Sequence, residues 1–221
     1  MWYRKAVKQG YANAQFRLGL CYNTGQGIKH DYAKAVDLIH KAAEQGHTEA
    51  QFVLGKSYGK AHFLSIVYVE QDNNKAVEWY QKAADQGSSA TEFYLGNCYY
   101  EGDHGITRDY AKAVEWYLKA AVKGYVDAQF QIGVCYIKGK GVPRNYAKAI
   151  EWFYKAAYED HSGAQFYLGR CYYKGQGVPQ DFAKGAKWLK DAADQGHVKA
   201  KKMLNNPMLG VDTPPQVKRV L

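Results

Sequence analysis

A chain of 221 residues with an apolar fraction of 47% can bury a core of its own, and 22 glycines and 20 tyrosines against 5 prolines mark an ordered sequence, not a low-complexity one. The formal net charge of +9 raises encounter rates with nucleic acid, acidic membranes and acidic proteins alike. Yet Lys34, Lys75, Lys112, Lys148 and Lys184 stand singly in helical stretches, with no dense basic block, which argues against a nucleic-acid arm and for solvated helix faces.

In chain order, Trp2-Tyr3-Arg4-Lys5-Ala6 reads as the middle of a repeat, so residues 2–9 are expected to be a half unit, leaving room for sequence upstream. Five helix pairs are expected to follow, at about 11–45, 47–86, 88–123, 125–159 and 161–195, with a capping helix over 197–205. Together they predict one solenoid domain over 1–206, and the Pro-containing segment 207–221 reads as a tail. No stretch approaches the roughly 18 consecutive apolar residues of a membrane span, and Met1-Trp2-Tyr3-Arg4-Lys5 lacks a signal-peptide core; cytoplasm and periplasm both stay open.

Each first helix is announced by one motif: Ala14-Gln15-Phe16-Arg17-Leu18-Gly19, then Ala50 to Gly55, Thr91 to Gly96, Ala128 to Gly133 and Ala164 to Gly169. Successive motif glycines are separated by 36, 41, 37 and 36 residues. A tyrosine follows three residues later (Tyr22, Tyr58, Tyr99, Tyr136, Tyr172), usually before a glycine turn such as Gly139-Lys140-Gly141-Val142-Pro143. The second helix opens on an N-cap, as in Asp31-Tyr32-Ala33-Lys34-Ala35 or Asn145-Tyr146-Ala147-Lys148-Ala149, and closes on Lys-Ala-Ala and a glycine such as Gly46, Gly87 or Gly124. Small and apolar residues recur at helical spacing, so each pair has one face to bury, and stacking of neighbours buries it.

These residues resemble the Sel1-like repeat family, relatives of the tetratricopeptide repeat: Ala-x-x-x-Leu-Gly-x-x-Tyr, a Gly-x-Gly-Val turn and an aromatic-rich Lys-Ala-Ala helix over about 2–204. The resemblance implies an all-α, right-handed α-solenoid of stacked antiparallel helix pairs. It also implies a non-enzymatic scaffold or adaptor for protein–protein interaction, often in bacterial signalling, envelope assembly or host contact.

The second unit departs from the pattern, since Lys60 to Val69 replaces the turn; an extended helix end, a packed loop and a partner-contacting protrusion are all readings of it. Cys21, Cys98, Cys135 and Cys171 share one repeat position, about a repeat apart, beyond the roughly 7 Å Cα limit for bridging, so no disulfides are expected. Gly55-Lys56-Ser57-Tyr58-Gly59 mimics a hydrolase nucleophile elbow but falls inside a helix, where no such elbow forms. His47, His161 and His197 share another position and cannot converge on one metal, and no phosphate-loop or paired-cysteine pattern occurs, so neither metal nor cofactor is expected.

Three first-helix columns vary from copy to copy, which marks faces not needed for stacking. From them the expected partner-binding residues on a concave face are Lys56, Tyr94, Asn97, Tyr100, Gln131, Val134, Ile137, Tyr167, Arg170 and Tyr173. Tyrosine and arginine are the residue types of binding hot spots, and Lys56, Lys138, Arg170 and Lys174 favour an acidic peptide or protein surface as partner, with no nucleic acid. Two alternatives stand beside the scaffold: an immunity protein that neutralises a secreted toxin, and, less favoured, a hydrolase like that suggested for cysteine-rich Sel1-like relatives.

Overall fold

The computed structural model describes residues 7, 9–59, 70–103 and 106–205. The insertion at 60–69, the tail at 207–221 and most of the half unit at 2–9 lie outside the described residues, as do His62 and His104. The described residues form helices and turns, with no strand. The helices are α1 (Ala12–Thr24), α2 (Tyr32–Glu44), α3 (Thr48–Gly59), α4 (Asn73–Asp85), α5 (Ser89–Glu101), α6 (Tyr110–Val122), α7 (Val126–Lys138), α8 (Tyr146–Tyr158), α9 (Ser162–Lys174), α10 (Phe182–Asp194) and α11 (Val198–Leu204). They group into two compact units, Met1–Ala120 and Ala121–Leu221.

Both units use the same device to join a first helix to its second. The first helix ends on a left-handed glycine (Gly25 at φ 70°, Gly102 at 72°, Gly139 at 66°, Gly175 at 63°), a conformation that a side chain at Cβ disfavours. The chain then returns so that the N-cap residue of the second helix donates its N–H to the carbonyl of the repeat tyrosine: Asp31 to Tyr22, Asp72 to Tyr58, Asp109 to Tyr99, Asn145 to Tyr136 and Asp181 to Tyr172, at 2.8–3.1 Å. The cap side chain in turn accepts the backbone N–H of Lys34, Lys75, Lys112, Lys148 or Lys184. Each cap is worth about 1 kcal/mol.

Within a pair the two helices touch through the motif glycine. A Cβ on Gly19, Gly55, Gly96, Gly133 or Gly169 would stand 2.7, 2.6, 2.6, 2.5 or 2.6 Å from Ile39, Tyr80, Tyr117, Phe153 or Leu189. That approach is closer than any side chain permits, so the glycine sets the spacing of the pair. Between pairs, the motif glutamine holds the junction. Gln51, Gln129 and Gln165 donate to the carbonyls of Ala43, Ala121 and Ala157 at the end of the preceding helix. The side chains of Gln45, Gln86 and Gln195 donate to Gln15, Gln51 and Gln165.

The core of the first unit runs through Phe16, Ile39, Leu54 and Trp79, then Tyr80, Leu95, Cys98 and Trp116. That of the second runs through Ile150, Phe153, Leu168 and Cys171, then Phe166, Leu189 and Ala200. All four cysteines are free; Cys98, Cys135 and Cys171 are buried and Cys21 half-buried.

Candidate functional site

Of the ten residues read from the sequence as partner-binding, four belong to the first unit. The Lys56 ammonium lies 5.7 Å from the centre of the Phe52 ring. Tyr94 is wedged between Phe52 and Tyr80, with ring centres at 5.3 and 4.8 Å, and this burial holds its phenol above the usual tyrosine range. Asn97 and Tyr100 share one support: the Tyr117 hydroxyl donates to Asn97 Oδ1 at 2.8 Å, and the Tyr117 ring stands 6.3 Å from that of Tyr100, which also meets Tyr110 edge-on at 5.1 Å.

The other six lie in the second unit. Val134 is 5% exposed and packs with Ile150 and Phe153, so it belongs to the core and not to the surface the sequence assigned it to. A variable column can be variable because the core accepts several apolar shapes there. Ile137 and Gln131 are half-buried. Tyr167 stacks on Phe153 at 5.1 Å and 16° and tilts against Phe130 at 5.9 Å. Arg170 follows one turn later, its guanidinium 5.6 and 5.5 Å from the Phe166 and Tyr167 rings, and Tyr173 meets Phe182 edge-on at 5.0 Å. Arg170 and Tyr173 are thus half-buried and braced, the guanidinium by two rings and the phenol ring by a third. Preorganised long side chains of this kind lose little entropy when a partner arrives.

The catalytic decoys resolve into structure. Ser57 is 1% exposed within α3, and its hydroxyl donates to the Val53 carbonyl at 2.9 Å. Burial pushes the thiols of Cys135 and Cys171 up to about 11, so neither is a thiolate near neutrality. His47, His161 and His197 each accept the backbone N–H of Ala50, Ala164 or Ala200 on Nδ1 and lie against Phe16, Phe130 or Phe166 with ring centres 4.4–4.6 Å apart. They cap helices. Among the described residues no three His, Cys, Asp or Glu side chains gather as metal ligands.

One feature escaped the sequence reading. The lysine of each Tyr-Ala-Lys-Ala or related segment lies over the repeat tyrosine of its own pair: Lys34 over Tyr22, Lys75 over Tyr58, Lys112 over Tyr99, Lys148 over Tyr136 and Lys184 over Tyr172, at 5.5–5.7 Å. The exposed lysines are therefore repeat fittings as well as solvated charges, each such contact worth about 0.5–1 kcal/mol at an exposed site.

Tyrosine, glycine, glutamine and cap recur at matching positions from unit to unit, and a family model for the Sel1 repeat matches residues 1–11, 12–47, 48–88, 89–125, 126–161 and 162–197. The chain belongs to the Sel1 repeat family. Among solved structures, it is similar to a protective antigen of uropathogenic Escherichia coli with a Sel1-like repeat fold, at 38% identity and a TM-score of 0.81 over 90% of this chain. It is also similar to a Sel1 repeat protein of Oxalobacter formigenes, at 32% identity and 0.77 over 94%. The chain spans 42% of the antigen's own chain and 82% of the Oxalobacter protein's. No curated protein matches it. The fold is the all-α solenoid of Sel1 repeats, and no helix among the described residues is long and apolar enough to cross a membrane.

Proposed function

We propose that this Sel1 repeat chain is a non-enzymatic scaffold that holds an acidic protein or peptide on the variable face of its first helices, the face expected to be concave. The observation that carries the reading is the Arg170–Tyr173 pair, a cation and a phenol one turn apart on α9, each braced by an aromatic ring and each reaching the surface. Lys56, Asn97 and Tyr100 supply the corresponding contacts in the first unit. Val134 takes no part.

An Arg170→Glu, Tyr173→Ala, Tyr100→Ala chain that retains its helical circular dichroism tests this by affinity capture from source-cell lysate and envelope fractions. A partner held by the unaltered chain and lost by the variant supports the reading; equal retention by both overturns it. The stoichiometry of the captured complex separates an adaptor, with several partners, from an inhibitor of one secreted toxin, with a single tight partner.

A further inference from the structure

We propose that the edge of the second unit formed by the turns after α7 and α9 docks a run of carboxylates on the partner, with Arg144 and Lys148 as the main contacts and Lys138 and Lys174 around them. The inference rests on the reading of the chain as a binder of an acidic partner and adds a contact separate from the first-helix face.

Charge is unevenly divided. The described residues of the first unit hold ten lysines and arginines against thirteen carboxylates, and those of the second hold fourteen against seven. Within the second unit Asp127, Glu159, Asp160 and Asp194 lie at the junctions between pairs and Glu151 and Asp191 on the second helices, while the turns 139–145 and 175–181 have one carboxylate, Asp181, which pairs with Lys184 at 3.7 Å. The two turns are contiguous: a Cβ on Gly177 would stand 2.7 Å from the backbone of Tyr146, whose ring lies 5.9 Å from the Arg144 guanidinium.

Asn145 decides the matter. In the other four pairs the N-cap of the second helix is an aspartate, and Asp31, Asp72 and Asp181 each form an ion pair with the lysine three residues on, at 2.6, 3.3 and 3.7 Å. Asn145 keeps the capping hydrogen bond to Lys148 at 3.0 Å but has no charge to give, so Lys148 meets no carboxylate on its own cap. Substitution of a neutral cap removes a negative charge from the turn where Lys138 and Arg144 also lie. The helix dipole does not explain the grouping, because the residues equivalent to Lys138 and Lys174 at the ends of α1 and α5 are Thr24 and Glu101. Ile137 and Tyr146, both half-buried, lie beside the cations and suit the apolar side chains of a polypeptide better than a nucleic-acid backbone.

The test uses the full chain and a fluorescent oligoglutamate peptide, followed by anisotropy at low and high salt. Binding is expected at low salt and is screened at high salt. Asn145→Asp restores the cap found in the other repeats and so keeps the fold; it is expected to weaken binding roughly three- to tenfold, the effect of one added charge at close range in a largely aqueous setting. Arg144→Gln is expected to weaken it similarly, and Lys29→Gln, in the corresponding turn of the first unit, to leave it unchanged. Unaltered affinity in Asn145→Asp would overturn the proposal, as would tighter binding of oligothymidylate or phosphatidylglycerol vesicles than of oligoglutamate. If Arg170→Glu abolishes binding while Asn145→Asp does not, the edge fails and the first-helix face stands; if the unaltered chain does not bind at all, both fail.

Discussion

At the scale of single residues, the repeat makes its own controls, because each position is seen several times in different company. The motif glycines are one case: Gly133 leaves no room between α7 and Phe153, so Gly133→Ala is expected to destabilise the chain by about 1–3 kcal/mol despite alanine's better helix propensity, read as a lower urea midpoint at unchanged slope. The junction glutamines are another. Gln15, Gln51 and Gln165 accept an N–H from Gln45, Gln86 and Gln195, whereas the residue equivalent to those donors in the pair of Gln129 is Glu159, and the Gln129 Oε1 is buried without a hydrogen bond. A carboxylate has no proton to offer it. Glu159→Gln is therefore expected to raise stability by about 1 kcal/mol, measured by the same titration. Beside it, Asp160 takes the left-handed conformation, φ 59°, that Gly46, Gly87, Gly124 and Gly196 take elsewhere, a strain that Asp160→Gly would relieve.

At the scale of the helix, the caps connect stability to pH. His161 and His197 cap α9 and α11 with Nδ1 as acceptor, which requires the neutral ring. Burial lowers the pKa of both; Asp127, 3.4 Å from His161 Nε2, opposes the shift, while Lys199 and His161 add to it at His197. Because the folded value lies below the unfolded value of about 6.5, the caps contribute fully above that pH and are lost as pH falls through the depressed value. The urea midpoint of the unaltered chain is expected to drop on passing from neutral pH to pH about 5. Ser88 fills the same position at α5 with a hydroxyl that does not titrate in this range, so a His161→Ser, His197→Ser chain is expected to show a smaller drop. An equal drop in both would place the pH dependence elsewhere.

At the scale of the molecule, stability in a repeat array is a sum of local terms, each pair resting on its neighbours. Two compact units carry that logic further. The Gly133→Ala substitution is expected to lower amide protection in α7 to α10 while leaving α1 to α4 protected, an outcome that hydrogen exchange reads directly; uniform loss along the chain would show a single cooperative unit instead. How much of this was legible beforehand follows from the period. Self-similarity placed the helices, the caps and the turns within a few residues, because those depend on neighbours in sequence: an aspartate at an N-cap, a left-handed glycine, a glycine in the second half of the motif helix. The same reading ruled on Ser57 and the cysteines by register alone. It placed the candidate site less well. Val134 went to the core, and Tyr94 and Tyr167 turned out to lean on Tyr80 and Phe153, because a column that varies in sequence can face either solvent or a tolerant apolar neighbour. The sequence by itself determined the family, the helix pairing and the sites of the caps, all products of local chemistry repeated at a fixed interval. Only the tertiary structure decided which variable side chains reach the surface and that the repeat lysines lie over tyrosines, since burial and ring contacts depend on groups that the fold brings together from separate helices.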